Sequence, residues 1–178
     1  MRAETSRKLK ELRRRCVERL VHLPLTTPFD LERFCQAVAA HQGRRILLQP
    51  VADVGGQTMG AWIRIPEADI IVFEQNTTRL HQEHIVLHEI SHIICGHDAP
   101  ALGPDEIALL FPDLNPEVVR GVLQRRSYRS DQELEAEVQA SVIRERAGSD
   151  VPAEPLTTTG DHSILRRLEA FSRGESAD

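Results

Sequence analysis

The chain has 178 residues, enough for one domain built around a single core. Hydrophobic residues make up 40% and aromatics only 4%, so Leu, Ile and Val must supply that core, and a net charge of -5 argues against nucleic-acid binding by the whole surface. No apolar run approaches the ~18 residues that cross a bilayer, the N-terminus lacks an apolar signal core, and Cys16, Cys35 and Cys95 are too few and too far apart for a disulfide framework; a cytoplasmic protein with reduced thiols is expected.

Residues 1–24 form a basic N-terminal segment, with a helix predicted over about 4–22. Positions 1–20 carry Arg2, Arg7, Lys8, Lys10, Arg13, Arg14, Arg15 and Arg19 against Glu4, Glu11 and Glu18, a local charge of +5 that leaves -10 for the remainder. Leu9, Leu12, Cys16 and Leu20 fall on one helical stripe. A solvated charged face is the default reading of such a helix; docking on nucleic acid or on a membrane surface is the alternative. Pro24 and Pro28 end the segment. Thr27 is placed to cap a second helix, with Pro28 at its first position and Asp30 at its third. Leu31, Phe34, Cys35 and Val38 have helical spacing, and Gly43 closes the helix.

A β region follows. Ile46 to Leu48 begin a strand that Pro50 should interrupt, and Gly55-Gly56 marks a turn. Met59 to Ile65 and Ile70 to Phe73 read as two more strands around a turn at Pro66 to Asp69. The expectation is a small antiparallel sheet of about three strands packed against several helices, an α+β fold. Asn76, Thr77 and Thr78 offer caps for a long helix ending at Gly96. Beyond a loop at 98–104, short helices are predicted around 105–111 and 116–126. Ser130 opens another helix to about Arg146. Residues 147–178 form a C-terminal connection and a last helix capped by Asp161, with Ile164, Leu165, Leu168 and Phe171 as its apolar face.

The long helix carries His88-Glu89-Ile90-Ser91-His92, an H-E-x-x-H pattern. Histidines at i and i+4 project from one helix face, so both imidazoles reach one ion. Zinc takes two imidazoles plus a carboxylate and keeps a fourth position open in catalytic sites. Glu89, next to the first ligand, is placed to accept a proton from water as general base. Ile90, Ile93 and Ile94 point away from the histidines and can anchor the helix. The competing reading is a helix with two chance surface histidines.

Several residues compete for the third ligand. Asp98 lies ten residues after His88, but the glycine that should stand at +7 is one position late, at Gly96, and His97 is one position early. Cys95 continues the His88, His92 stripe, although a buried helix cysteine is the commoner case. The acidic run Asp131-Gln132-Glu133-Leu134-Glu135-Ala136-Glu137 can deliver a carboxylate from a second helix packed across the first. Against that, Ser130-x-x-Glu133 reads as a capping box, which accounts for the acid without any metal.

These residues resemble the ImmA/IrrE family of zinc metallopeptidases over about residues 28–146. That family follows H-E-x-x-H with a glutamate ligand in a pattern like E-x-x-A-N and a small residue three positions later. The run from Glu133 to Ala140 fits this frame, with Glu137 where Asn is usual and Ser91 where Gly is usual. The resemblance implies that Glu133 is the third ligand, with Glu135 its rival. It also implies one zinc-like catalytic ion in a minimal zincin-like domain covering residues 1–178, similar to thermolysin-like zincins in its metal set. The expected function is cleavage of a specific protein, a helix-turn-helix transcriptional repressor. No helix-turn-helix is legible in the chain itself, so direct nucleic-acid contact is not expected. The alternative is a non-catalytic zinc-containing module, one half of a toxin–antitoxin-like pair, that acts by holding its partner protein.

Two further side chains face the expected site. His84 stands one turn before His88 and either lines the cleft or is an exposed histidine. Tyr128 either donates to the oxyanion of a tetrahedral intermediate or packs with its hydroxyl satisfied. Arg120, Arg125, Arg126 and Arg129 make a basic run that suits an acidic substrate segment or a solvated face.

Overall fold

A computed structural model describes residues 2–52, 60–98 and 128–148. The helices predicted around 105–111 and 116–126, Arg120, Arg125 and Arg126, the turn at Gly55-Gly56 and the C-terminal connection and helix from 149 onward lie outside the described residues. Four helices and three strands are described: α1 (Arg2–Arg19), α2 (Leu31–Gln42), β1 (Arg45–Val51), β2 (Gly60–Arg64), β3 (Ala68–Glu74), α3 (Arg79–Cys95) and α4 (Ser130–Ala147). The architecture is α+β, as expected.

The sheet has the order β1-β3-β2, with β1 parallel to β3 and β2 antiparallel to it. It is therefore mixed, which corrects the expectation of an antiparallel sheet. β3 lies between β1 and β2, so those two strands do not meet as a hairpin. Every residue of β3 is buried, as suits a central strand covered on both faces. Pro50 does not interrupt β1, which runs on to Val51. Among the described residues β1 pairs only with β3, and an edge strand tolerates a residue without an N–H.

Polar groups are buried in this core, Asp69 and Glu74 on β3 among them. Asp69 on β3 is fully buried and accepts hydrogen bonds from Trp62 Nε1 at 3.0 Å, Arg64 Nε at 3.0 Å and Arg44 Nε at 3.1 Å. Three donors satisfy its carboxylate, as burial of a charge requires.

α2 begins later than predicted. Asp30, not Thr27, is the N-cap: its side chain accepts from Arg33 N at 3.0 Å, and the Thr27-Pro28 peptide ahead of it is cis. Gly43 closes the helix in a left-handed conformation, as expected. Along α1, Leu12 and Cys16 are buried, with Leu20 just beyond its end, while Leu9 is 47% exposed, so the apolar stripe reaches the core only from its second half. Part of the basic face is paired at the surface: Lys8 with Glu4, Arg14 with Glu11 and Glu18, and Arg13 with Glu145 on α4. α1 also packs on α4, where Gln139 Nε2 donates to the Cys16 carbonyl at 3.2 Å. Among the described residues, no helix is long and apolar enough to cross a membrane.

Candidate metal centre

α3 is fixed at both ends by its own sequence. Thr78 accepts from the His81 N–H at 3.3 Å, and Gly96 adopts a left-handed conformation with φ 70°. Ile90 and Ile93 are buried and Ile94 packs partly against the core, as their spacing predicts. Ser91 is also buried, and its hydroxyl donates to the Leu87 carbonyl at 2.5 Å, so its polar group is satisfied.

His88 and His92 project from the face of α3 that meets α4, and their Nε2 atoms stand 3.3 Å apart. Glu133 comes across from the first turn of α4. Its carboxylate lies 3.3 Å from His88 Nε2 and 3.7 Å from His92 Nε2. These three side chains form a group suited to hold one metal ion, with all their ligand atoms within 4.8 Å of one another.

The capping explanation for Glu133 fails on geometry. The N-cap of α4 is Arg129, and the Gln132 side chain accepts the Arg129 N–H at 3.3 Å. Ser130 is already inside the helix, one residue too late to cap it, so the Glu133 carboxylate is left to the histidines.

Burial and charge tune the group. His92 is fully buried, and desolvation, with His88 and His97 nearby, pushes it down to about 3. It is therefore neutral at pH 7, as a metal-ligating imidazole must be. Glu89 is buried behind the site. Desolvation pushes its carboxyl up to about 8 against the opposing Trp62 hydrogen bond, and the Glu133 charge adds to the rise. Its Oε2 accepts from the Trp62 backbone N–H at 2.9 Å, which ties α3 to the outer edge of β2. That approach requires Gly60: a β-carbon there would overlap Ile85 Cγ2 and come within 3.6 Å of Glu89 Cγ.

The rival ligands have other partners. Glu135 turns away, its carboxylate lying 2.8 Å from Arg19 Nη1 and 3.5 Å from His97 Nε2. Burial raises its pKa, but the hydrogen bond and charge of Arg19 outweigh that and hold it low. Cys95 sits 3.5 Å from Arg19 Nη1, and Asp98 is exposed; neither joins the metal group. Tyr128 lays its ring on His92, with centroids 3.7 Å apart and planes 20° from parallel. His84 lies 4.0 Å from Glu137 and 3.5 Å from Arg144 Nη1, on the rim and not in the ligand set. Arg129 is exposed and pairs with Asp131 at 3.3 Å.

Two supporting contacts are not legible from the motif. Glu137 Oε2 lies 3.5 Å from His88 Nδ1, and His97 Nδ1 lies 2.9 Å from His92 Nδ1. Their sequence signals are Glu137 four residues after Glu133 and His97 directly after the capping Gly96; each is only an irregularity in the ligand pattern. No protein-family model, no curated protein and no solved structure matches the chain.

Proposed function

We propose that the chain is a zinc-dependent metalloendopeptidase in which His88, His92 and Glu133 hold the ion and Glu89 is the general base. The observation that carries this reading is the spacing of the donors. Tetrahedral ligands about 2.0–2.1 Å from zinc stand about 3.3 Å apart. Here the two imidazole Nε2 atoms stand 3.3 Å apart, one Glu133 oxygen lies 3.3 Å from His88 Nε2 and the other 3.7 Å from His92 Nε2, and one donor atom from each residue falls within 4.8 Å of the others. Two imidazoles and a carboxylate are also the donor chemistry of hydrolytic zinc sites. The Glu133 side chain is 45% exposed, so the group is accessible from solvent on that side.

A bound divalent ion supplies a Lewis acid for the scissile carbonyl and a positive charge that draws Glu89 toward its ionised form. Glu89 takes a proton from the attacking water, holds it in a buried carboxyl that retains protons readily, and passes it to the leaving amine. The Trp62 N–H fixes the Glu89 side chain while it does so. Tyr128 walls the site beside His92 and is assigned the oxyanion contact. The specific substrate, a helix-turn-helix transcriptional repressor, rests on the resemblance to the ImmA/IrrE family.

A second reading is a zinc-containing module that holds a partner without cutting it. The Glu89–Trp62 hydrogen bond favours it, because a carboxylate so tied has a structural use apart from catalysis. Zinc-loaded wild type and E89Q, each incubated with a candidate helix-turn-helix regulator, distinguish the two. A cut made by the wild type alone, read by mass spectrometry, supports the peptidase. Stable capture of an intact partner by both proteins overturns it in favour of the binding module.

A further inference from the structure

A histidine that binds metal through Nε2 leaves its Nδ1–H to be satisfied elsewhere, and that partner sets the ring's tautomer and orientation. Both Nδ1 atoms in this centre have one. For His88 it is Glu137 on α4, at 3.5 Å. For His92 it is His97 Nδ1, at 2.9 Å.

The second contact does not end at His97. With His92 neutral and its Nε2 turned to the metal group, its Nδ1 carries the hydrogen and donates. His97 Nδ1 must then accept, which places the His97 hydrogen on Nε2. That atom faces Glu135 Oε2 at 3.5 Å, and Glu135 Oε1 in turn lies 2.8 Å from Arg19 Nη1 on α1. His92 donates to His97 and His97 donates to Glu135, and the Arg19 guanidinium pairs with the same carboxylate from the other side, so the donors converge on Glu135.

Backbone geometry holds the middle of this chain. The left-handed turn at Gly96 folds the chain back beneath α3, and the His97 N–H bonds the His92 carbonyl at 3.0 Å. His97 is therefore attached to His92 through both main chain and side chain. His97 is buried, at 7% exposure, so its ring is not exchanging with solvent partners. At the far end, Arg19 is the last residue of α1, where its charge also suits the helix C-terminus. It reaches both Glu135 and Cys95, and so joins α1 to α4 and to the end of α3.

We propose that Arg19, Glu135 and His97 act together as positioning residues that hold His92 in its metal-binding tautomer, making α1 part of the support of the metal centre. None of the three is a metal ligand; His97 touches His92, and Glu135 and Arg19 act through His97. This rests on the reading of His88, His92 and Glu133 as metal ligands.

The test is zinc affinity of the full chain, measured by competition with a chromophoric chelator, together with the visible spectrum of the cobalt(II)-loaded protein. Loss of an outer partner of a ligating histidine lowers metal affinity by about 10- to 100-fold. H97A, E135Q and R19M are expected to weaken zinc within that range and to alter the cobalt spectrum, while R19K, which restores the charge, recovers most of the affinity. R19M placed in the H97A background is expected to add little, because the connection is already broken. Zinc affinities within twofold of wild type for both E135Q and R19M overturn the relay. So does an R19M loss that persists in full on top of H97A. Should R19M fail to fold, E135Q in the H97A background carries the same test with a side chain of nearly the same shape. Wild-type protein that takes up no zinc overturns the metal centre itself, a result distinct from equal binding by all variants.

Discussion

Glu89 is held to the sheet by Trp62: its Oε2 accepts the Trp62 backbone N–H at 2.9 Å. Trp62 lies on β2, an edge of the three-stranded sheet, where an outward N–H would otherwise need water or another strand. The H-E-x-x-H helix thus meets the sheet through the residue assigned the proton transfer. The base and the fold share one contact, and the two roles can be separated by substitution. Glu89→Gln retains an oxygen to accept the Trp62 N–H but loses the basic carboxylate. It is expected to fold and bind zinc as the wild type does, while cleavage falls by about 100- to 10,000-fold, the usual contribution of a general base. Paired zinc titration and a cleavage time course check both halves. Equal loss of zinc and activity would mean that Glu89 serves the site's structure.

Glu133 and Glu135 are two residues apart and have opposite assignments, so they make a controlled comparison. Glu133→Ala removes a ligand and is expected to weaken zinc by more than the ~100-fold that a supporting residue contributes. Glu135→Gln is expected to stay within that bound. Zinc also stabilises by mass action: at about 100 times its Kd it should add about 2.7 kcal/mol to the wild type. Glu133→Ala should show almost none of that gain in a thermal or denaturant melt with and without chelator. A larger effect from Glu135→Gln would exchange the two roles.

How much of this was legible in the sequence depends on the range of the signal. The H-E-x-x-H spacing, the caps at Thr78 and Gly96 and the isoleucine anchor are local, and they placed α3 and the histidine pair correctly. Glu133 was undecidable from its own neighbourhood, because Ser130-x-x-Glu133 has the form of a capping box. Gln132 takes that role only because α4 starts one residue earlier, with Arg129 as cap. Sheet topology is not legible for a different reason. Short apolar runs declare strands but not pairing, and the parallel alignment of β1 with β3 joins strands that are not consecutive in the chain. The link from Arg19 to Glu135 spans most of the chain, and nothing in either segment points to the other.

Gly60 sets the distance between β2 and α3. An added methyl would overlap Ile85 Cγ2 and lie 3.1 Å from the Val72 carbonyl. Gly60→Ala is expected to cost about 1–3 kcal/mol, the usual range for overpacking a core. It should also push β2 outward and lengthen the Trp62–Glu89 hydrogen bond. Faster hydrogen exchange at the Trp62 amide, with stability read from a denaturant midpoint, checks both effects. A neutral Gly60→Ala would show that the Ile85 side chain can move aside.

Asp69 organises the opposite end of the sheet. It is buried and takes donors from Trp62, Arg64 and Arg44. Arg64 also lies over the Trp62 ring, 4.6 Å from its centroid, so the carboxylate holds a stacked pair in place. Asp69→Ala leaves the buried indole N–H without its acceptor and frees two guanidinium groups, and is expected to cost about 3 kcal/mol. Asp69 is remote in function from the metal group, so zinc affinity measured below the lowered melting temperature should be unchanged.

The three thiols offer a check on the ligand set that needs no substitution. Desolvation raises all of them: Cys16 above its ordinary value, Cys35 far above it, and Cys95 up to about 12 despite the opposing charge of Arg19. Thiolate is the reactive form. At pH 8 the native chain is therefore expected to react slowly with a thiol reagent such as a disulfide dye, and the unfolded chain to react promptly at all three cysteines. Raising the pH should speed the native reaction. Zinc should leave the native rate unchanged if Cys95 stays outside the metal group, as its contact with Arg19 indicates. Selective protection of Cys95 by zinc would make the thiol a ligand and would overturn Glu133 as the sole third donor.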